Sequence, residues 1–360
     1  GMTQQKKHSL VLEALKNPTM MRDLDVGQWN ALLLQGQLLK LSGRLACDAE
    51  ASGIWDELPP KAQQVLTNAR VSVAAQQRKI MWEVNRIRRA LVGFDGKVIL
   101  VKGGGYIAGG LICARGRHSV DIDILVARKN IDLVEDYLLK AGYESQLLNE
   151  YDQHYYRDWA HELPPLTHPD RMVEVDVHHN ILQLTNKLSP QIDLMIEAAV
   201  PQEDNIFVLA PADMLLHSIV HQFVDGTLKG SLRNLLEQHE MITEFGQNSG
   251  FWADFMDRAE QLGLRRPVFY CLRYCQHFFG TSIPQEVLAI SAVAGPGPLT
   301  LKMMDMAVKN SMVPYGEGRS RVLDYLATNG LYLRSHWLRM PPMMLFSHLT
   351  RKSLRRLKRA

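Results

Sequence analysis

The sequence is poor in cysteine and contains no long apolar segment, and each shortage excludes a class of protein. Four cysteines in 360 residues are too few and too scattered for the disulfide framework of a secreted domain, so a cytoplasmic location is expected. No uninterrupted apolar run approaches the roughly 18 residues of a membrane-spanning helix, so no transmembrane segment is expected. Charged residues make up 22% of the chain and apolar residues 46%, which excludes wholesale disorder and a coiled-coil rod.

A net charge of one sign is also nearly absent. The chain carries 41 Lys and Arg against 38 Asp and Glu side chains, a net charge of +3. Six of the basic residues and none of the acidic ones lie in the last ten positions, Arg351–Ala360, so the remainder is slightly acidic. Any strong attraction to a polyanion would be local to this tail. Two interpretations of it stand: a solvated helix end, or a weak contact with anionic lipid or RNA.

Length and hydrophobic periodicity together predict an α+β protein of several domains. A chain of 360 residues exceeds what one hydrophobic core usually serves. Apolar residues recur at helical spacing in an N-terminal region, 1–95, and again in a C-terminal region, 211–350. Short β-branched segments alternate with helices in between, which predicts a mixed-sheet core over residues 96–210. The basic tail, 351–360, is the last segment.

Three short strands are predicted within this core. Val98–Val101 is a continuous apolar run followed by Gly103–Gly105, a pattern that predicts a buried strand and a tight glycine turn. Residues 122–126 and 172–177 predict the second and third strands, whereas the three prolines within residues 161–170 favour a loop. Helices are predicted over residues 131–141, 214–224, 232–245, 251–262 and 267–279.

Two aspartates lie two residues apart at the second predicted strand. Because side chains alternate along a strand, Asp121 and Asp123 leave the same face. Two carboxylates about 4 Å apart repel by roughly 1 kcal/mol even in water, so a cation is expected between them. A hard divalent cation is the natural partner. The third predicted strand supplies Asp176 as a further ligand and, as a less favoured alternative, Glu174.

A glycine run precedes the aspartates. Glycines allow close backbone approach, so the amide groups at Gly104 and Gly105 would point at phosphate oxygens. The run is not a P-loop, because Lys102 precedes the glycines and no Gly-Lys-Ser or Gly-Lys-Thr follows them. A dinucleotide fingerprint is excluded as well, since it does not explain the aspartate pair. A triphosphate is the expected ligand.

Histidine and cysteine pairs at helical spacing offer a zinc site as an alternative. His217 and His221 are four residues apart, as are Cys271 and Cys275. No His-Glu-x-x-His motif is present, however, and the cysteines lie in an aromatic helix. We therefore interpret the histidines as cleft-lining or buried hydrogen-bonded residues and the cysteines as core.

Taken in order, these residues resemble the nucleotidyltransferase superfamily typified by DNA polymerase beta. Its pattern is a strand, a Gly-Gly or Gly-Ser turn that opens a helix, a strand with Asp-x-Asp, and a third Asp on a later strand. Gly104–Gly105, Asp121, Asp123 and Asp176 match these positions. The resemblance implies a nucleotidyltransferase-type mixed sheet with helical regions on both sides.

Within that superfamily the chain is most similar to a bacterial group of uncharacterised nucleotidyltransferases. Lys102–Gly103, Arg117, Val175–His178 and Leu215–His217 resemble recurring features of the group. Glu237 departs from it, because relatives tend to have Asp there, and this puts the acceptor side of the site in doubt.

The resemblance implies transfer of a nucleoside monophosphate from a nucleoside triphosphate (NTP) to a hydroxyl group, with release of pyrophosphate. Asp121 and Asp123 would bind the Mg²⁺ or Mn²⁺ that holds the triphosphate. Asp176 would complete the metal site and take the hydroxyl proton. The acceptor remains open between a small molecule, an RNA and a protein.

Further contacts to the triphosphate are implied at the amides of Gly104 and Gly105, and at the side chains of Lys102, Arg117 and Ser119. One alternative from another class stands beside the enzyme. In it, the same fold holds a nucleotide or nucleic acid without catalysis, and the basic tail provides a membrane or RNA contact.

Overall fold

The computed structural model of the protein describes residues 9–146, 162–182, 191–226 and 228–313, together with Gly330 and Arg334. The basic tail discussed above lies outside these residues. Within the described ranges, no helix combines the length and the apolar character needed to cross a membrane.

The first region of the chain is helical, as its periodicity predicts. Its helices are α1 (Leu10–Lys16), α2 (Val26–Leu38), α3 (Ser42–Ala51) and α4 (Pro60–Ala90). A capping box starts α2: the Asp25 carboxylate accepts a hydrogen bond from the Gln28 amide at 2.8 Å, and the Gln28 side chain accepts one from the Asp25 amide at 2.9 Å. Pro60 starts α4 at a position where no backbone donor is needed.

A seven-stranded mixed sheet follows, with the order β3-β4-β5-β2-β1-β7-β6. Its strands are β1 (Val98–Val101), β2 (Asp121–Leu125), β3 (Glu144–Ser145), β4 (Leu166–Thr167), β5 (Glu174–His178), β6 (Val200–Glu203) and β7 (Ile206–Val208). The pairs β2–β5 and β1–β7 are parallel, and the other neighbours are antiparallel. The three predicted strands are confirmed and occupy the centre of the sheet.

Two local predictions need correction. Gly103–Gly105 does not form a turn but lies within the helix α5 (Lys102–Ala108), which begins directly after β1 because Lys102 takes a left-handed conformation at φ +50°. The predicted loop over residues 161–170 contains the two-residue strand β4. Pro165 immediately precedes that strand, so its missing amide does not interrupt the pairing with β5.

Eight further helices lie within the described residues, two of them between strands of the sheet. They are α6 (Ile131–Lys140), α7 (Ile192–Glu197), α8 (Pro211–Val220), α9 (Leu232–Phe245), α10 (Phe251–Gln261), α11 (Arg265–Phe279), α12 (Gln285–Ala292) and α13 (Pro298–Ser311). The helix predicted over 214–224 divides into α8 and a π-helical turn, His221–Asp225, where the hydrogen-bonding pattern widens. Such turns are frequent at functional sites.

Buried apolar side chains of the N-terminal helices, the sheet and the C-terminal helices belong to one cluster. This arrangement confirms the α+β class with helical regions on both sides of a mixed sheet. The division of the chain near residues 95 and 210 stays a prediction.

The glycine helix offers a test of packing against backbone freedom. A Cβ atom at Gly105 would lie 2.6 Å from the carbonyl oxygen of Leu100, whereas one at Gly104 would meet no atom within 4 Å. Gly105→Ala should therefore lower the free energy of unfolding by about 2 kcal/mol. Gly104→Ala should leave it unchanged or raise it by about 0.5 kcal/mol, because alanine favours a helix. Urea titration of both variants measures the difference, and equal effects would contradict the packing seen here.

Candidate active site

The parallel pairing of β2 with β5 brings four acidic residues onto one face of the sheet. Asp123 lies opposite Asp176, and Asp121 lies opposite Glu174. Because side chains opposite each other in neighbouring strands share a face, the two strands present all four carboxylates on the same side. Asp121 is exposed, Asp176 is half-buried and Asp123 is buried with 3% of its surface exposed.

Two cationic groups converge on Asp123. Its Oδ1 accepts hydrogen bonds from Lys102 Nζ at 2.5 Å and from His178 Nε2 at 2.8 Å. Burial alone would raise the pKa of Asp123, but the charge of Lys102 and the His178 hydrogen bond outweigh it and hold this pKa well below its usual range. The most deeply buried carboxylate of the face is therefore ionised and already neutralised by side chains of the protein.

Asp176 is in the opposite situation. Burial and the neighbouring charge of Asp123 raise its pKa to about 7. None of the described residues gives its carboxylate a hydrogen bond or an ion pair at close range. The face thus carries one carboxylate that is paired with two cationic side chains beside one whose ionised form is disfavoured.

His178 links this face to the loop before β4. Its Nε2 binds Asp123, and its Nδ1 lies 3.0 Å from Glu162 Oε2. Burial by itself would lower the pKa of His178, but the hydrogen bonds to Asp123 and Glu162 raise it to about 9. The imidazole is therefore a cation at neutral pH, wedged between two carboxylates.

Lys102 reaches Asp123 from a strained backbone. A φ of +50° is rare for a residue with a side chain and costs energy, so the surrounding structure must impose it. The next residue, Gly103, is required by packing, since a Cβ there would lie 2.3 Å from Arg117 Nη1. The position of Lys102 is therefore fixed on one side by the end of β1 and on the other by the closely packed start of α5.

Arg117 and Ser119 are held by partners within the protein. Arg117 is buried against Tyr106, whose ring centre is 5.5 Å from the guanidinium carbon. Its Nε donates to Glu237 Oε1 at 2.7 Å and its Nη1 donates to Ser119 Oγ at 2.8 Å. Glu237 is thus the anchor of the arginine across to α9, while the predicted phosphate contacts of Arg117 and Ser119 stay predictions.

A cavity of about 250 Å³ opens over this constellation. Its charged lining residues are Lys40, Lys102, Arg117, Arg233, Asp121, Asp123 and Glu237. Gly103, His118 and His221 also line it. Cationic side chains outnumber carboxylates along the lining. Of the predicted site residues, the lining includes Lys102, Arg117, Asp121 and Asp123, whereas Gly104, Gly105, Ser119 and Asp176 are not part of it.

Two histidines of α8 and the π-helical turn face the same cluster. Burial and the charge of Lys102 lower the pKa of His217 and bring that of His221 to about 4, so both are neutral at pH 7. His221 lines the cavity. The four-residue spacing of these histidines predicts a position in a cleft or in the core. No sequence motif, in contrast, indicates that Lys102 and His178 pair with Asp123.

The donor set fits a divalent cation in kind. Carboxylate oxygens are the ligands of Mg²⁺ and Mn²⁺, and burial together with the charge of Asp123 disfavours the ionised form of Asp176, which a cation would favour. Within the described ranges, no group of three or more His, Cys, Asp or Glu side chains is positioned to hold a metal ion. In this arrangement, Lys102 and His178 compensate the charge of Asp123.

A comparison with family models adds the class of protein. The model described as "Uncharacterised nucleotidyltransferase" matches residues 25–280, well over half of the chain. The chain therefore belongs to this nucleotidyltransferase family, as the order of the glycines and aspartates predicts. Neither the curated proteins nor the solved structures gave a significant match.

The raised pKa of His178 predicts a pH-dependent stability. A proton bound more tightly in the folded state, at a pKa of about 9 against about 6.5 unfolded, stabilises the fold fully below pH 6.5 and no longer above about pH 9. Between these values the wild type should lose on the order of 3 kcal/mol that His178→Asn does not lose. Urea titrations from pH 6 to 10, with a chelator present, measure the difference.

His277→Asn is the matched control, because His277 is exposed and its pKa lies below the usual value. Because the pKa of His277 is lower in the folded state, its deprotonation removes no stability as the pH rises. Parallel loss of stability in the wild type and in His178→Asn would contradict a charged histidine between Asp123 and Glu162.

Proposed function

We propose that this nucleotidyltransferase moves a nucleoside monophosphate from an NTP to the hydroxyl group of an acceptor and releases pyrophosphate. The observation that carries the proposal is the register of β2 and β5, which sets Asp123 opposite Asp176 beside a cavity with four cationic side chains.

The cysteines support a cytoplasmic location as part of the proposal. All four are free thiols, including Cys271 and Cys275 with sulfur atoms 3.9 Å apart, as is typical of a reducing compartment.

Asp121, Asp123 and Asp176 would hold the divalent cation, Mg²⁺ or Mn²⁺. When bound, such an ion neutralises the phosphate oxygens and lowers the pKa of a coordinated hydroxyl. Lys102, released from Asp123, and Arg117 would bind the triphosphate in the cavity that they line. We also expect the triphosphate to contact the amides of Gly104 and Gly105 and the hydroxyl of Ser119. These groups do not line the cavity, so the triphosphate would have to extend beyond it.

Asp176 suits the role of proton acceptor. Its half-buried carboxylate lies opposite Asp123, on the face where the cation and the acceptor hydroxyl would meet, so it is within reach of the hydroxyl proton in the proposed complex. The acceptor hydroxyl would give its proton to Asp176 while its oxygen bonds to the α-phosphorus. The bond between that phosphorus and the bridging oxygen of the β-phosphate breaks, and pyrophosphate leaves with the electron pair.

The ion pair between Lys102 and Asp123 favours a second candidate. A protein that binds nucleotide without transferring it needs no metal on Asp123, and a lysine at 2.5 Å satisfies this carboxylate permanently. In that case the basic tail would supply the membrane or RNA contact.

Catalysis separates the two candidates. The wild type incubated with each α-labelled NTP and Mg²⁺ or Mn²⁺ should release pyrophosphate and label an acceptor supplied from a mixture of alcohols, RNA and protein. Asp121→Asn combined with Asp123→Asn should lower this rate by at least about a thousandfold, because the charge that holds the metal is lost. Asp170→Asn, at a side chain 87% exposed, is the control for charge removal alone. Full activity in the double variant would exclude the mechanism.

Metal binding can be measured without any reaction. If Lys102 competes with the cation for Asp123, Lys102→Gln should bind Mn²⁺ about tenfold more tightly than the wild type, while Asp176→Asn should bind it more weakly. Electron paramagnetic resonance of free Mn²⁺ gives both affinities. Identical affinities in all three proteins would favour the non-catalytic candidate.

A further inference from the structure

A second concavity adjoins the candidate active site. A groove of about 750 Å³ runs between α2 and α4, with Leu33 and Leu34 on one side and Val65, Ala69 and Val73 on the other. Lys40 and His118 line both this groove and the catalytic cavity. These two residues mark the place where the groove and the cavity meet.

The groove differs from the cavity in its chemistry. Its hydrophobic walls are accessible, with Leu34 57% and Val65 45% exposed. Apart from Lys40 and His118, its polar side chains are the uncharged Gln37, Ser42, Ser72 and Gln76. Among its described lining residues only Lys40 carries a full charge, since the pKa of His118 is lowered by burial and by Lys40 and Arg233.

This composition discriminates among the possible acceptors. An RNA would place a phosphate at every nucleotide and needs a matching row of Lys and Arg side chains. The groove offers one lysine, at its junction with the catalytic cavity. An acidic peptide would meet the same shortage. The size of the groove falls within the range of small-molecule sites, about 300–1,000 Å³.

We infer that the groove between α2 and α4 binds the uncharged, mainly apolar body of a small alcohol that serves as the acceptor. The inference rests on the proposed function and names its acceptor class. The alcohol would lie along Leu34 and Val65 and pass Lys40 and His118, so that its hydroxyl enters the cavity of Asp121 and Asp123. Gln37 and Gln76 supply hydrogen bonds to polar groups along the body.

The binding test uses uncharged probes and needs neither nucleotide nor metal. N-phenyl-1-naphthylamine, a neutral fluorophore, is bound to the full-length protein and displaced by 1-alkanols from butanol to decanol. The affinity of the wild type should rise about fourfold per added methylene group until the groove is filled. Ser72→Trp fills the groove from an exposed position of α4 and should weaken decanol binding at least tenfold.

Two further variants guard against trivial effects. Ala74→Trp adds the same side chain to an exposed position of α4 outside the groove lining and should not change the alkanol affinities. Leu34→Asp keeps the branching of the side chain but adds a charge at an exposed position of the groove, and should weaken binding as Ser72→Trp does. Equal alkanol binding in the wild type, Ser72→Trp and Leu34→Asp would overturn the inference.

The remaining outcomes separate this inference from the proposed function. A labelled RNA 20-mer that Ser72→Trp releases, or a dimer that it dissociates, would overturn the alcohol assignment in favour of a polymer or a second copy of the chain. With alkanol binding intact, label from NTP should pass to decanol faster than to butanol, and Ser72→Trp should abolish this preference. If the wild type binds alkanols but transfers label only to the RNA or protein of the mixture, the acceptor role fails and the proposed function stands. If it releases no pyrophosphate with any acceptor, the proposed function fails.

Discussion

The parallel pairing of β2 and β5 is the interaction on which the site depends. It sets Asp123 beside Asp176, an electrostatically unfavourable arrangement that the sheet must hold in place. The opposite face of the same two strands provides the stabilising free energy, because Ile122, Ile124 and Val175 are completely buried there. Because side chains alternate along each strand, the residues next to the carboxylates point into the hydrophobic core. Their burial stabilises the sheet and offsets the repulsion between the carboxylates on the other face.

Sequence patterns predict the central strands and the shared face of the acidic residues. Val98–Val101 is bounded as predicted, because a continuous β-branched run next to glycines has few alternatives. The common face of Asp121 and Asp123 follows from the two-residue period of a strand alone. Their register with Asp176 does not, since a one-residue slip of β5 would turn Asp176 to the other face, and only the paired strands determine it.

The glycine segment shows why other parts could not be predicted. Three consecutive glycines disfavour a helix by local propensity, so the pattern indicates a turn. In the structure they form the first turn of α5 because tertiary packing decides. A Cβ at Gly105 would clash with the backbone carbonyl of Leu100, and one at Gly103 would displace the Arg117 side chain. The left-handed Lys102 that starts this helix has no signature in sequence. The sequence pattern around Lys102 therefore does not predict that this lysine neutralises Asp123.

The position of Lys102 links the two charges that the proposed reaction must handle. Its ammonium group pairs with Asp123 and lines the cavity at the same time. Under the proposed function, Asp123 and Asp176 would hold the cation, and Lys102, no longer needed to neutralise Asp123, would be available to an anion in the cavity. A triphosphate brings that anion. Metal and triphosphate would thus each strengthen the binding of the other, because each relieves the charge that the other leaves uncompensated.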